Sequence, residues 1–202
     1  AAFSDFRLTN GGIIYIIAGV YTLKSTVTIP VGITIMGEGC GTIINGEMQD
    51  VPMFITSALS SNPGNTNIGS NKNKITFKNL ILIDNMNGSA LFGEPTMLSS
   101  SMVAVSIGSN VSFENITFLG KLSTTTTPRT KTFAAISTTG TGSIVTSLDV
   151  NKCYFDGLNN GISFTPSNGE IDYLSVANCK ARIYGTEDIT KAGYIYNNFI
   201  NI

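Results

Sequence analysis

The chain has 202 residues, 42% of them hydrophobic and only 12% charged, with a formal net charge of −1. That length supports one domain with a continuous core, and the apolar content excludes a disordered chain. The near-neutral balance gives no electrostatic footing for nucleic acid or an anionic membrane, and no apolar run reaches the roughly 18–20 residues that span a bilayer.

Ser, Thr, Asn and Gly take the place of the missing charge, a composition suited to short strands and tight turns. Residues 1–10, AAFSDFRLTN, carry Ala, Phe and Leu at roughly helical spacing. They predict a short amphipathic helix ended by Gly11 and Gly12, so that 1–12 read as the remnant of an N-terminal cap. The opening AAFS fits either a mature terminus after signal cleavage or a cut fragment. From residue 13 the pattern changes to strands: IIYII (13–17), VYTL (20–23), TVTI (26–29), ITIM (33–36) and TIIN (42–45). They are short, β-branched and separated by Gly- and Pro-containing turns, as a coiled sheet requires. No stretch has the length and period of a long helix, which excludes α/β crossover folds. Three polar segments without periodicity, at about 60–74, 84–101 and 121–131, read as insertions.

A phrase then recurs: apolar–x–apolar–x–Asn–apolar. It reads ITFKNL at 75–80, VSFENI at 111–116, LSVANC at 174–179 and YIYNNF at 194–199. The copy at 148–153, LDVNKC, puts Lys152 in the Asn slot. Repeats at intervals of about 20–26 residues, lengthened by insertions, are the signature of a solenoid. Stacked parallel strands lie about 4.8 Å apart, so equivalent residues form columns. Phe77, Phe113, Val150, Val176 and Tyr196 make one inward column, and Leu80, Ile116, Cys153, Cys179 and Phe199 the next. Asn79, Asn115, Asn178 and Asn198 form a structural column at the bend, where Asn adopts left-handed geometry and bonds the next Asn. The whole of 1–202 is thus expected to be one all-β domain.

The segment GGIIYIIAGVYTLKSTVTIPVGITIMGEGCGTII (11–44) resembles the opening turns of the pectin-lyase-like, right-handed parallel β-helix superfamily, and the Asn-marked strands are similar to the same superfamily. The resemblance implies a single-stranded right-handed parallel β-helix with an N-terminal capping helix. The superfamily includes polysaccharide lyases, polygalacturonases, bacteriophage tailspikes and tail appendages, and surface adhesins.

Catalytic residues do not carry over from that resemblance. The chain has no histidine, which removes imidazole acid–base chemistry, serine-type triads and most zinc sites. The polygalacturonase motifs N-T-D, D-D, G-H-G and R-I-K do not occur; Arg182-Ile183 is followed by Tyr184. Arginine stands only at positions 7, 129 and 182, with no Asp cluster around any of them, so the calcium-dependent lyase pattern is missing too. No cofactor and no metal site is expected. Asp149 and Asp156 remain as generic carboxylate candidates, with Glu170 and Asp172 on a neighbouring turn, against the plainer reading of solvated surface acids. Arg182 follows Cys179 at the offset at which Asp156 follows Cys153, which predicts a cross-turn salt bridge. The next column, Tyr154 and Lys180, joins Arg182 as candidate ligand-binding residues, because an aromatic face and a cation both suit glycans.

Three cysteines form no disulfide framework. Cys153 and Cys179 occupy one repeat position and are expected as stacked reduced thiols, because parallel side chains spoil disulfide geometry. Cys40 has no partner in the pattern. Sequons at Asn87, Asn110 and Asn115 are of the kind that arise by chance in so Asn- and Thr-rich a chain. Residues 194–202, YIYNNFINI, end mid-repeat and imply a longer chain or a covering subunit, in a trimer or filament. The sequence therefore predicts a non-catalytic structural or adhesive β-helix of an extracellular or virion appendage, contacting surface polysaccharide or neighbouring subunits. The alternatives are a polysaccharide lyase or glycoside hydrolase of the same fold, and a subunit of an extracellular filament or surface layer.

Overall fold

The computed structural model describes residues 11–47, 51–57, 74–85, 101–106, 109–120, 132–139, 144–145, 147–163, 170–171, 173–183 and 200–201. Within them the chain winds through successive coils. The first coil holds β1 (Gly12–Ile16), β2 (Gly19–Leu23) and β3 (Val27–Ile29). The second holds β4 (Ile33–Gly37), β5 (Thr42–Gly46) and β6 (Phe54–Thr56). In the third, β7 (Lys74–Asp84) spans two faces and β8 (Val103–Ser106) the last. In the fourth, β9 (Asn110–Leu119) and β10 (Thr132–Thr139) do the same. The fifth contains β11 (Ile144–Val145), β12 (Ser147–Asn151) and β13 (Tyr154–Ser163). The sixth contains β14 (Glu170–Ile171), β15 (Leu174–Ala177), β16 (Lys180–Ile183) and β17 (Ile200–Asn201).

Every strand pairs in parallel with its counterpart one coil away, giving a right-handed parallel β-helix. Face one is β1-β4-β7-β9-β12-β15, face two is β2-β5-β7-β9-β13-β16, and face three is β3-β6-β8-β10-β13-β17. The sequence segments at 60–74, 84–101 and 121–131 fall between these strands: the first separates face three from face one, the other two separate face two from face three. Lys74 and Asp84, at the edges of those segments, are the two ends of β7. The helix expected over 1–10, the last repeat with Tyr196, Asn198 and Phe199, and Asn87 lie outside the described residues.

Period-two alternation sends one side of each strand into the coil, as the burial of Ile75, Phe77, Leu80 and Leu82 along β7 shows. The inward residues stack in register. Phe77 lies over Phe113 with ring centroids 5.1 Å apart, and Phe118 over Phe155 at 4.9 Å, both pairs with nearly parallel ring planes. Phe113 and Phe118 meet edge-on at 5.7 Å and tie face one to face two. Each fully buried Phe contributes roughly 1.5–3 kcal/mol of apolar burial. Face three has a more polar interior: Thr56, Thr138, Asn160 and Ser163 are buried there or at its edge.

From the third coil to the sixth, the bend from face one to face two is a single left-handed residue. Asn79, Asn115, Lys152 and Asn178 all have φ between 54° and 56°. Asn115 Nδ2 donates to Asn79 Oδ1 at 2.9 Å. Lys152 cannot continue that ladder, and the side chain of the preceding residue takes over: Asn178 Nδ2 donates to Asn151 Oδ1 at 3.0 Å. The bend therefore survives the substitution that breaks its side-chain pattern. The sequons at Asn110 and Asn115 are both engaged. Asn110 is buried and accepts from Ser147 Oγ at 2.5 Å, and Asn115 uses its amide in the ladder.

Substitutions at two positions test this frame. A left-handed non-glycine residue costs about 1–2 kcal/mol, less for Asn. Lys152→Asn is expected to raise stability by ~0.5–1 kcal/mol, read as a higher melting temperature in calorimetry, with Lys152→Val moving it the other way. Between face two and face three, Gly120 N donates to Asp156 O at 2.7 Å, and a Cβ on Gly120 would stand 2.1 Å from Gly157 O. Gly120→Ala is expected to lose about 1–3 kcal/mol or more in a denaturant titration, because backbone and not a flexible side chain blocks it.

Candidate functional site

The outward positions of face two in the last coils bring the predicted residues together. Register pairs Tyr154 with Thr117 on one side and Lys180 on the other, and pairs Asp156 with Leu119 and Arg182. Alternation along β13 turns Phe155 into the core and leaves Tyr154 and Asp156 on the outside. Arg182 donates to Asp156 through Nε at 2.8 Å and Nη2 at 2.5 Å, a two-pronged contact that fixes both side chains. Tyr154 Oη donates to Asp156 Oδ2 at 3.2 Å. The Arg182 guanidinium, bonded to Asp156, holds its carboxyl below the usual carboxylate range. Lys180 stands one coil above Tyr154 with no ion pair among the described residues. The result is an exposed phenol ring held by its hydroxyl, a clamped carboxylate beneath it, and an ammonium group one strand spacing away.

Asp149 is not part of this cluster. It lies on face one, in register with Ser112 and Ser175, and Lys74 reaches it at 3.6 Å. The left-handed bend at Lys152 separates the two faces, so the outward side chains of Asp149 and Asp156 diverge. Paired-carboxylate hydrolysis needs two acids about 5–10 Å apart that flank one bond, one of them able to carry a proton. Asp156 is held ionised by a guanidinium and Asp149 is ion-paired on another face. Glu114 is likewise bound, to Lys78 Nζ at 2.7 Å. Glu38 accepts from Tyr15 Oη at 2.8 Å, a bond that raises the Tyr15 phenol above its ordinary value, and from the Ala18 backbone N–H at 2.9 Å. Glu170 and Asp172 carry no described side chains. Among the described residues no group of three or more His, Cys, Asp or Glu side chains gathers around one point.

A second surface feature escaped the sequence reading. Ile13 (62% exposed), Tyr15 (56%), Ile17 (63%) and Val20 (66%) face outward on either side of the first bend. The run IIYII is apolar at every position, so it gives no sign of which members point in. Only the pairing of Ile14 with buried Ile35 decides it.

The sequence model of a family described as rhamnogalacturonase A/epimerase, pectate lyase-like, matches residues 2–201. No curated protein and no solved structure matches the chain. The matched span takes in every described strand, and the curled parallel sheet is consistent with a pectate lyase-like β-helix. The chain belongs to the pectate lyase-like rhamnogalacturonase A/epimerase family.

Proposed function

We propose that this chain is a non-catalytic, adhesive β-helix of an extracellular or virion appendage, and that it contacts surface polysaccharide through Tyr154, Lys180 and Arg182. The observation that carries the reading is the rigid Tyr154–Asp156–Arg182 chain of contacts with Lys180 beside it. A sugar ring packs its C–H face on an exposed aromatic ring, and a fixed cation and carboxylate give its hydroxyls directional partners. A pre-ordered surface loses little side-chain entropy on binding. The carboxylates that a hydrolase would need are engaged by cations, which favours binding over turnover. The family description favours the second reading, a polysaccharide-cleaving enzyme of the same fold.

A panel of capsular and pectic glycans separates the two. Saturable binding without chain cleavage is expected, and Tyr154→Ala is expected to weaken it by about 3–10-fold, the loss of one aromatic contact of roughly 0.5–1.5 kcal/mol. Reproducible cleavage that disappears in Asp149→Asn or Asp156→Asn would sink the adhesive reading.

The clamp also sets an acid dependence. The folded-state pKa of Asp156 is depressed, so its contribution to stability is present above the ordinary carboxylate value and is lost as pH falls through the depressed value. Arg182 is largely exposed, which keeps that contribution below about 1 kcal/mol. In melts at a series of pH values, Arg182→Ala is expected to sit slightly below the parent chain at pH 6. The gap should close as pH falls through the depressed value, below the ordinary carboxylate range, and a constant gap would remove the clamp from the account.

A further inference from the structure

We infer that Cys153 and Cys179 together form a binding site for a thiophilic, two-coordinate cation of the copper(I) or silver(I) class. Asn151 pairs with Ala177 and Tyr154 with Lys180, so the two cysteines stand opposite each other on the fifth and sixth coils. Their thiols make the same contacts one coil apart. Cys153 Sγ donates to Asn151 O at 3.4 Å and to Phe113 O at 3.7 Å. Cys179 Sγ donates to Ala177 O at 3.2 Å and to Val150 O at 3.6 Å. Phe113 and Val150 are themselves register partners. The side chains are therefore parallel, and the sulfurs are offset by one strand spacing of about 4.8 Å.

That spacing discriminates between two chemistries. A disulfide needs Cβ atoms about 3.5–4.5 Å apart and converging side chains. Parallel side chains a full coil apart reach that only if the backbone moves. Two thiolates bound on opposite sides of one metal ion, at about 2.3 Å each, stand ~4.6 Å apart, which the column supplies as built. Both cysteines are free.

The surroundings narrow the ion. The column continues downward through Ile116 and Leu80, both buried and apolar. The chain contains no histidine, and among the described residues no third ligating side chain joins a cluster. Zinc and iron, which take four or more ligands, do not fit; soft ions content with two thiolates do. Entry runs through Cys179, which is half-buried, because Cys153 is only 2% exposed. The step is balanced without any oxidant: one monovalent ion and two thiols give a bis-thiolate complex and two protons released to solvent. This site is independent of the glycan surface on the outside of the same coils.

Titration calorimetry of the full chain with silver nitrate in chloride-free buffers tests it. Cys40 is exposed and would take the same ion, so the titration uses a Cys40→Ser background. The expected result is one ion per chain, near two protons released per ion, and two sulfur neighbours in X-ray absorption. Cys179→Ser, at a half-buried position and with its fold checked by circular dichroism, is expected to weaken binding by ~100-fold or more. Cys153→Ser should match it where it folds. Unchanged binding in Cys179→Ser, or one proton and one sulfur per ion, overturns the site. A Cys153–Cys179 disulfide formed in the native chain by oxidised glutathione also overturns it, because the sulfurs would then approach to bonding distance.

Discussion

Everything in this molecule depends on stacking in register at one strand spacing. Each residue has one neighbour below and one above, at about 4.8 Å, for the length of the coil. At that distance equal side chains must attract or be replaced. Phenylalanines stack nearly flat, as Phe77 does on Phe113 and Phe118 on Phe155. Amides donate to amides, as Asn115 does to Asn79. Charges alternate in sign: Lys78 lies under Glu114, and Asp156 under Arg182. A column of like charges would repel at close range, and none of these columns contains one.

The bend between faces one and two is the second requirement, and it is a backbone requirement before it is a side-chain one. Four coils place a non-glycine residue at φ near 55°. Asn is suited to this region because its short polar side chain bonds locally. Lys152 is not, yet it adopts the same angle. Its two neighbouring coils are held by extensive parallel pairing, from β9 through β12 to β15. That pairing forces the geometry that the residue's own preference opposes. The side-chain amide hydrogen bond lost at Lys152 is replaced from Asn151, so the ladder shifts by one residue and resumes.

This division explains what the sequence made legible. The repeat phrase aligns residues by offset, and offset is register. Tyr154 beside Lys180, Asp156 beside Arg182 and Cys153 beside Cys179 could all be read by counting from the Asn slot. Lys78 beside Glu114 was equally available, one position before the Asn in ITFKN and VSFEN. Other features carry no such marker. In IIYII every residue is apolar, so the outward placement of Ile13, Tyr15 and Ile17 depends on a pairing that the run itself does not encode. The separation of Asp149 from Asp156 needs the bend between them, and there the slot holds a residue that hides it. The polar interior of face three, with Asn160 and Ser163 buried, contradicts the usual price of burying amides and hydroxyls. Composition alone places such residues outside.

The same geometry separates stability from recognition. Along β13, Phe155 faces the core while Tyr154 and Asp156 on either side of it face outward, so alternate residues serve different ends. Inward positions are constrained from both sides by stacked neighbours, and a change in one propagates along the column. Outward positions touch mainly their two column partners. The face-two surface can therefore exchange an aromatic ring, a cation or an acid without disturbing the coil beneath it. An ion-paired acid in such a column is stabilised in its charged form, and that is the property that disqualifies it as a proton donor. Column pairing, which makes a regular surface tolerable, works against catalysis by the acids it has paired.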